Sequence, residues 1–334
     1  MSLLPWQEPV WQELLQRQRG NGLPHAMLLT GNKGIGKHGL ALHTAQWLLC
    51  QNRSGQACGE CHSCKLWAAG SHPDFLLCVP EEGSRQIRID AIRKVNEFLA
   101  QTPQISQSQV VILSPVEVMN SNAANALLKT LEEPAGESYL LLETERFGSV
   151  LPTIRSRCQR LTLATPSAAQ ALSWLQQQGI DSEQASLALR LNMGAPLAAL
   201  AWLQQERGRQ QQQWQQQLGQ WSRGELALQP LAESWSKIEM SDVTSWFYLV
   251  LSDCLKARMG VPAAQQTLAG DVQALCDCAT LDPAKLLTLQ AKVQAVLGQL
   301  LSGLGNYNKQ LLCESLLLHW QALIQNGQSP SGTI

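Results

Sequence analysis

Hydrophobic and polar residues form two kinds of pattern along the first half of this chain. Short, continuous apolar runs indicate buried strands, and apolar residues spaced three and four positions apart indicate helices. Because strands and helices follow one another in turn, the pattern predicts a mostly parallel sheet that is covered by helices on both faces. The predicted strands are residues 26–30, 75–79, 110–113 and 139–142, and the predicted helices are residues 37–49, 90–99 and 123–132.

In the second half of the chain the apolar runs that mark strands disappear. Residues 167–207 predict a small helical unit, and residues 224–325 predict long amphipathic helices. The Gln-rich stretch 204–217 is compatible with a linker, but Trp214 and Trp221 favour a helix with buried contacts. We therefore expect an α/β region at the N-terminal side and an all-helical region after it.

Composition and charge limit the class of protein. The chain has 334 residues, which suggests two or three domains, and 45% of them are hydrophobic, enough for ordinary globular cores. Charged residues make up 15% and the formal net charge is −1, so no strongly basic domain marks a nucleic-acid-binding surface. Residues 1–18 lack the apolar segment of a signal peptide, and no apolar run is long enough to span a membrane. We therefore expect a soluble cytoplasmic protein with no membrane partner.

A glycine-rich motif follows the first predicted strand and precedes the first predicted helix. It matches the phosphate-binding pattern G-x-x-x-x-G-K-[S/T] except at the last position, where His38 replaces the hydroxyl residue. Glycines let such a loop wrap closely around a phosphate, backbone N–H groups then point at the anion, and Lys37 adds a positive charge. The motif, with glycines at Gly31, Gly34 and Gly36, therefore indicates either a site for ATP or ADP or a structural turn.

The same region lacks the oxygen ligands that magnesium-dependent hydrolysis requires. His38 offers an imidazole where a hydroxyl is expected, and magnesium prefers oxygen. The third predicted strand ends at Ser114-Pro115, where P-loop ATPases place an aspartate. Glu117 lies nearby, but three residues farther along it is not expected to be presented in the same way. The sequence therefore predicts no ATP hydrolysis at this chain's own site.

Four cysteines are grouped between the first predicted helix and the second predicted strand. Three follow the spacing C-x-x-C-x-x-C, and the fourth lies near the end of the preceding helix. In an intracellular chain such clusters are typical of metal sites, and four thiolates can surround one zinc ion tetrahedrally. Iron–sulfur proteins use a similar spacing with a further Cys-Pro pair, which is missing here, and reduced thiols without metal are the third alternative. The predicted zinc ligands are Cys50, Cys58, Cys61 and Cys64, with His62 and His72 as substitutes.

Two arginines, Arg155 and Arg157, lie shortly after the fourth predicted strand. Considered alone, they are surface charges in contact with water. The six histidines form no pair with catalytic spacing, and the motifs H-E-x-x-H and G-x-S-x-G are absent. The residues by themselves therefore indicate no nucleophile and no acid–base site.

Taken together, five segments resemble the bacterial clamp-loader subunits of the AAA+ superfamily. The most specific is the run Asn-Ala-Leu-Leu-Lys-Thr-Leu-Glu-Glu-Pro at residues 125–134. The order of the five segments fits the family, and the resemblance is dense over residues 20–165 and weaker toward the C-terminus. The other four segments are the P-loop 31–37, the cysteine module 50–64, the Ser-His-Pro-Asp motif 71–74 and the Ser-Arg-Cys motif 156–158.

The same resemblance separates this chain from the ATPase subunits of that family. Those subunits keep a P-loop hydroxyl and an acidic strand end, where this chain has His38 and Ser114. They also carry an arginine that contacts nucleotide in the second domain, and the matching stretch here places Leu197 at that position. The resemblance therefore implies a subunit of the DNA polymerase III clamp loader that has lost its own ATP hydrolysis, while Lys37 leaves residual nucleotide binding open.

The resemblance also implies a role for Arg157. In clamp loaders the Ser-Arg-Cys arginine reaches the ATP held by a neighbouring subunit, where a guanidinium stabilises charge on the transferred phosphoryl group. The implied partners are the ATPase subunits (gamma or tau) and the delta subunit in a hetero-oligomer, and through that complex the sliding clamp and primed DNA. The implied domains are an AAA+ nucleotide-binding-like domain with a zinc module at residues 1–165, a helical lid at 166–207 and a helical, oligomerising collar at 208–334.

Two other classes of function remain open from the sequence. The first is an active ATPase subunit, whose sign would be ATP turnover by the isolated chain that falls with Lys37→Ala. The second is a zinc-dependent nucleic-acid-binding module, whose sign would be salt-dependent DNA binding that is lost on chelation. The resemblance itself implies a structural stator, the relatively rigid member of the loader. It would have no ATPase activity of its own and would be a component of the DNA polymerase III holoenzyme, a nucleotidyltransferase complex.

Overall fold

A computed structural model describes most of the chain. The described residues are 3–20, 22–84, 86–134, 136–205, 207–262, 266–268, 275, 281–302 and 307–325. They form two compact units, Met1–Leu200 and Ala201–Ile334. The predicted division into three domains at residues 165 and 207 stays a prediction.

The first unit is built on a five-stranded sheet with the strand order β2-β3-β4-β1-β5. Every pair of neighbouring strands is parallel, and β1 and β3 are buried along their whole length. Such complete burial requires cover on both faces, which explains the continuous apolar runs in the sequence. The strands are β1 (Ala26–Thr30), β2 (Phe75–Cys78), β3 (Gln109–Leu113), β4 (Ser138–Thr144) and β5 (Gln159–Thr162).

Helices form an apolar layer on each face of this sheet. Successive side chains of a strand point to opposite faces, so Met27 and Leu29 pack in one core with the first two helices, and Leu28 packs in the other with α4 and α5. The helices of the unit are α1 (Glu8–Arg19), α2 (Lys37–Leu49), α3 (His62–Ala68), α4 (Ile89–Leu99), α5 (Ser121–Glu132), α6 (Pro152–Arg155), α7 (Ala168–Gln177), α8 (Ser182–Leu191) and α9 (Pro196–Gln204).

The parallel register brings three strand ends to one edge of the sheet. Thr30 pairs with Thr144, and Leu113 pairs with Leu142, so β1, β3 and β4 all finish at the same edge. The residues that follow or end these strands therefore lie close together, as expected for a parallel sheet. This edge carries the glycine-rich loop.

Most predicted elements of this unit are confirmed, and β1 and α2 have the predicted bounds. Strand β5 was not predicted, because it is an edge strand in which only Leu161 is buried and no apolar run exists. Helices α1 and α3 were not predicted either. The α/β character with a mostly parallel, doubly covered sheet is confirmed.

In the second unit, all the regular elements among the described residues are helices. The Gln-rich stretch is part of a helix rather than a linker, because Trp214, Leu218 and Trp221 are buried on one side of it. Trp246 stacks near Trp214 and Trp235, with ring centroids 5.6 and 5.7 Å apart. The helices are α10 (Arg207–Ser222), α11 (Leu228–Ser236), α12 (Met240–Arg258), α13 (Pro283–Ser302) and α14 (Lys309–Gln325).

Candidate functional site

The glycine-rich loop joins β1 to α2, as predicted for a P-loop. Gly31, Gly34 and Gly36 have φ values of 153°, 76° and 92°, which favour glycine over any residue with a Cβ atom. A Cβ on Gly34 would collide with Ala198, and one on Gly31 would lie 2.5 Å from the Leu163 carbonyl oxygen. The glycines are therefore needed for both the turn and the close packing around it.

Carbonyl groups of the loop are held by two other parts of the same unit. The Trp6 indole Nε1 donates to the Ile35 carbonyl at 2.8 Å, and the Gln7 amide donates to the Gly36 carbonyl at 2.8 Å. From the other side, the Leu197 backbone N–H donates to the Gly34 carbonyl at 3.0 Å. The loop is consequently fixed in place by the N-terminal segment and by the start of α9.

Lys37 is turned back onto its own loop. Its Nζ donates to the Asn32 carbonyl at 2.7 Å, and the residue is only 6% exposed. Burial lowers the pKa of Lys37, against the opposing effect of Glu145, Glu143 and other nearby charges. The lysine thus lies beside a cavity of about 440 Å³ that the P-loop lines, and its ammonium already has a protein partner.

The last P-loop position is occupied by an ion pair. The His38 Nδ1 lies 2.9 Å from Glu143 Oε1, and Ser114 Oγ donates to Glu143 Oε2 at 3.1 Å. The hydrogen bond that His38 donates to Glu143 raises the pKa of His38, and burial opposes this effect. The imidazole therefore stands where an ATPase has its magnesium-binding hydroxyl, and it is paired with a buried carboxylate.

The sequence predicted that this region lacks oxygen ligands for magnesium, but two carboxylates do line the pocket. Ser114 and Pro115 do line it, but Glu143 and Glu145, at the end of the neighbouring strand β4, line it as well. Glu117 instead accepts a hydrogen bond from the Glu145 backbone N–H at 3.1 Å. The sequence-based prediction rested on the end of β3 alone. Neighbouring parallel strands end at the same edge of a sheet, so residues at the end of β4 line the pocket too. The predicted strand at residues 139–142 ends just before Glu143, so this carboxylate could have been predicted.

Leu197 also lines the cavity, at the start of α9. An apolar side chain here cannot contact a phosphate through a charge. The structure thus places Leu197 next to the P-loop, where the resemblance implied that an ATPase subunit has an arginine.

Arg157 follows α6 on the surface of the first unit, with 32% of its side chain exposed. Its Nε donates to Glu132 Oε1 at 2.6 Å, and its Nη1 donates to the Thr153 carbonyl at 3.0 Å and to Ser156 Oγ at 3.2 Å. Glu132, the last residue of α5, was not predicted as its partner. The two residues are 25 positions apart, and no sequence pattern connects them.

Arg155 has a different environment from Arg157. Its guanidinium carbon lies 5.0 Å from the centre of the Phe147 ring, and that of Arg160 lies 4.1 Å from the same ring. Cation–π contacts of this kind attach both arginines to an apolar group. Arg157, by contrast, is held by the carboxylate of Glu132.

The four predicted zinc ligands come together in one cluster. Cys50 immediately follows α2, Cys61 precedes α3, and Cys64 lies within α3. The four Sγ atoms all lie within 4.8 Å of one another, with 3.9 Å between Cys50 and Cys61 and 4.0 Å between Cys58 and Cys64. Zinc–sulfur bonds of about 2.3 Å in a tetrahedron put sulfur atoms about 3.8 Å apart, so the cluster fits one zinc ion.

Backbone N–H groups already point at these sulfurs. The N–H of Cys58 donates to Cys50, that of Cys61 to Cys58, and that of Cys64 to Cys61, over 3.3 to 3.4 Å. Burial opposes ionisation of Cys61, but the N–H groups of Cys64 and Gln51 donate to it and bring its pKa to about 6. Burial raises the pKa of Cys64 to about 12. A cation is what allows all four to be thiolates together.

The Ser-His-Pro-Asp motif supports this cluster and does not join it. The His72 Nδ1 accepts from the Asp74 backbone N–H at 3.1 Å, so its Nε2 carries the proton and lies 2.8 Å from Ser63 Oγ. Ser63 in turn donates to the Leu49 carbonyl at 2.7 Å. His72 is therefore not a substitute ligand, and the exposed His62 lies outside the cysteine group.

Family models match nearly the whole chain. The model described as DNA polymerase III, delta subunit, matches residues 6–167, and that of the C-terminal part of the delta subunit matches residues 205–322. Between them, the model of the AAA+ ATPase lid domain of DNA polymerase III subunit delta' matches residues 166–204.

Similar curated proteins agree with these models. DNA polymerase III subunit delta' of Pseudomonas aeruginosa is 37% identical over 337 residues, covering 96% of this chain and 98% of that protein. The subunits of the same name from Yersinia pestis and Escherichia coli are 36% and 33% identical, each covering 98% of both chains. This chain belongs to the DNA polymerase III delta-prime family.

Membership of the delta-prime family gives the fold its class, an AAA+ α/β unit followed by a helical region. The family is part of the clamp loader of DNA polymerase III, so assembly with other subunits follows from membership. Among the described residues, no single helix is long and apolar enough to cross a membrane; the pair Ser182–Leu191 and Pro196–Gln204 meets that test only jointly, with a bend of 111°.

Proposed function

We propose that this chain is the clamp-loader subunit that hydrolyses no ATP itself and presents Arg157 to the ATP of an adjacent ATPase subunit. Its partners are the gamma or tau ATPase subunits and the delta subunit, and the assembled loader places the sliding clamp on primed DNA in the cytoplasm. The observation that carries the proposal is the contrast between the chain's own nucleotide pocket and its surface arginine. The chain's own pocket contains an ion pair at the magnesium position, and its arginine lies on the surface.

The pocket supports the absence of hydrolysis in this chain. In an active P-loop site, the P-loop hydroxyl and a carboxylate at a strand end bind the magnesium ion beside the phosphates. Here His38 fills the hydroxyl position and holds Glu143, and Ser114 holds the second oxygen of that carboxylate. Lys37 is bound to Asn32. Binding of ATP or ADP without hydrolysis stays a prediction of the glycine-rich motif.

The surface position of Arg157 supports the action in trans. A guanidinium that is partly exposed at the end of a short helix can reach a molecule bound by a neighbour, which a buried one cannot. Its planar group has several N–H donors and matches phosphate oxygens well. The Ser156 and Thr153 contacts orient the side chain on its loop.

We further propose that the cysteine cluster binds one structural zinc ion through Cys50, Cys58, Cys61 and Cys64. All four tetrahedral positions would be filled by protein, so the ion would tie the 50–64 loop to α2 and α3 and leave no position open for catalysis. The sulfur separations and the N–H groups directed at the sulfurs support this set of ligands.

The trans role is tested by Arg157→Ala in the assembled loader. Known arginine fingers accelerate hydrolysis by about 10³- to 10⁵-fold, so the one site that uses Arg157 should become nearly silent while the others continue. We expect normal assembly by size-exclusion chromatography and a partial loss of the steady-state ATPase rate. Arg155→Ala, which removes a charge two residues away at the end of α6, is the matched control. An unchanged rate for Arg157→Ala, or an equal loss for both variants, would contradict the role.

A further inference from the structure

Both edges of the Arg157 guanidinium are occupied in this chain. On one edge Nε donates to Glu132 Oε1 at 2.6 Å, and Nη2 forms an ion pair with the same oxygen. On the other edge Nη1 donates to Thr153 and Ser156, at 3.0 and 3.2 Å. An arginine has N–H donors only, so each contact made within the chain uses a donor that a phosphate would need. The Arg157 guanidinium is therefore already bound by groups of its own chain.

Of these contacts, the one with Glu132 is the charged one. Carboxylate and phosphate oxygens compete for the same guanidinium edge, because both are anionic acceptors of matching geometry. Glu132 ends α5 and has 50% of its side chain exposed, so it lies at the surface beside the arginine. The neutral contacts to Thr153 and Ser156 place no opposite charge against the guanidinium.

We infer that Glu132 is a positioning residue that holds Arg157 in a withdrawn state, from which the phosphate of a neighbour's ATP must displace it. This inference rests on the proposed action of Arg157 in trans. Breaking the Arg157–Glu132 ion pair then adds to the free energy needed to bring the guanidinium to the transferred phosphoryl group. The pair restrains hydrolysis at that site until a neighbour and its ATP are in place.

The pair has little value as a purely structural contact. Exposed ion pairs stabilise a fold weakly, because water and salt already solvate both charges. Glu132→Gln keeps the size of the side chain and one acceptor oxygen, so α5 and the loop should keep their structure. Its effect on hydrolysis therefore separates a restraining role from a structural one.

The test is single-turnover ATP hydrolysis by the assembled loader that contains Glu132→Gln. We expect the hydrolysis rate to rise by about two- to five-fold, the range given by the strength of an exposed ion pair, with the KM for ATP unchanged. Glu133→Gln is the matched control, because Glu133 is the next residue, is exposed and carries the same charge. The control should leave the rate at its parental value.

Arg157→Ala and the double variant separate the possible failures. If Arg157→Ala lowers the rate and Glu132→Gln raises it only when Arg157 is present, the restraint acts through the arginine. If Arg157→Ala lowers the rate but Glu132→Gln leaves it unchanged or lowers it, the restraint is wrong and the finger role survives. An increase that persists in the double variant shows that Glu132 acts elsewhere and overturns the inference. If Arg157→Ala has no effect, the proposed function and the inference both fail.

Discussion

At the scale of single residues, this structure replaces expected contacts with fixed internal ones. Lys37 binds a carbonyl of its own loop, His38 binds Glu143, and His72 binds Ser63. Each is a residue type with well-known ligand chemistry, and each has a protein partner instead. The contacts of these three residues therefore indicate their roles better than their residue types do.

The His38–Glu143 pair gives a prediction for pH. The hydrogen bond that His38 donates to Glu143 raises the pKa of His38 above its ordinary value of 6.5. Glu143→Gln should lower that pKa, as read from an NMR titration of the imidazole, and Glu145→Gln, which removes an exposed charge nearby, should change it less. An unchanged His38 pKa in Glu143→Gln would show that the pair does not form in solution.

The sign of the linked stability follows from the direction of that shift. A group whose pKa is raised by folding stabilises the fold fully below its unfolded pKa, and the contribution is lost as pH rises through the folded pKa. The parent should therefore exceed Glu143→Gln in unfolding free energy by more at pH 6 than at a pH well above the raised pKa of His38. His38 is nearly half exposed, so the difference is small.

Asp74 gives a second prediction at this scale. Its carboxylate is 1% exposed and accepts three backbone hydrogen bonds, from Gln104, Ile105 and Ser106, at 2.6, 2.9 and 2.7 Å. Asp74→Asn removes the charge and turns an NH₂ group toward N–H donors, which leaves buried donors without partners. We expect the unfolding free energy to fall by about 2 to 4 kcal/mol in urea denaturation.

Its control is Glu81→Gln, which changes an exposed carboxylate in the loop after β2. A surface change of this kind should alter the unfolding free energy by less than about 0.5 kcal/mol. Equal effects of the two substitutions would mean that Asp74 does not hold the 104–106 loop. The Ser-His-Pro-Asp motif therefore has two structural roles. Asp74 holds the 104–106 loop, and His72 supports the cysteine cluster through Ser63.

At the scale of elements, helix α3 depends most on something outside its own sequence. It has seven residues, too few for a stable isolated helix, and two of the four clustered cysteines lie at its start. Removal of zinc by a chelator should therefore increase hydrogen exchange of the backbone amides in residues 50–68. Amides of α12, in the other unit, should keep their protection.

Metal analysis completes that test. We expect one equivalent of zinc in the purified chain, and Cys58→Ser should lower the zinc content together with the protection of α3. Cys254→Ser, at a buried cysteine outside the cluster, is the control for loss of a thiol and should keep the zinc. Iron in the place of zinc, or unchanged exchange after chelation, would reject the structural zinc site.

The elements also show which parts of the site a sequence can disclose. The apolar run of β1, the glycines after it and the spacing of the four cysteines are local patterns, and the structure agrees with each. Strand β5 has no such pattern, since it is an edge strand with polar residues. Glu132 and Glu143 were missed because their partners lie 25 and 105 residues away, across the fold.

At the scale of the whole molecule, the proposed function divides the chemistry between this chain and its neighbours. A P-loop pocket and an arginine finger are both needed for phosphoryl transfer, and here the pocket contains its own ion pair while the arginine lies on the surface. Under the proposed function, the complementary parts come from different subunits. Such a division would make hydrolysis depend on assembly, which a complete active site within one chain would not do.

The isolated chain should therefore hydrolyse ATP no faster than a magnesium–ATP blank, because His38 replaces the P-loop hydroxyl and the carboxylate of Glu143 is paired with it. The measurement is steady-state phosphate release by the full-length purified chain, with the assembled loader as the positive control. Turnover by the isolated chain that disappears in Lys37→Ala would show an active site of its own, and the chain would then be an ATPase subunit. Turnover that persists in Lys37→Ala would come from a contaminating enzyme, so the two variants together decide between hydrolysis in this chain and hydrolysis by its partners.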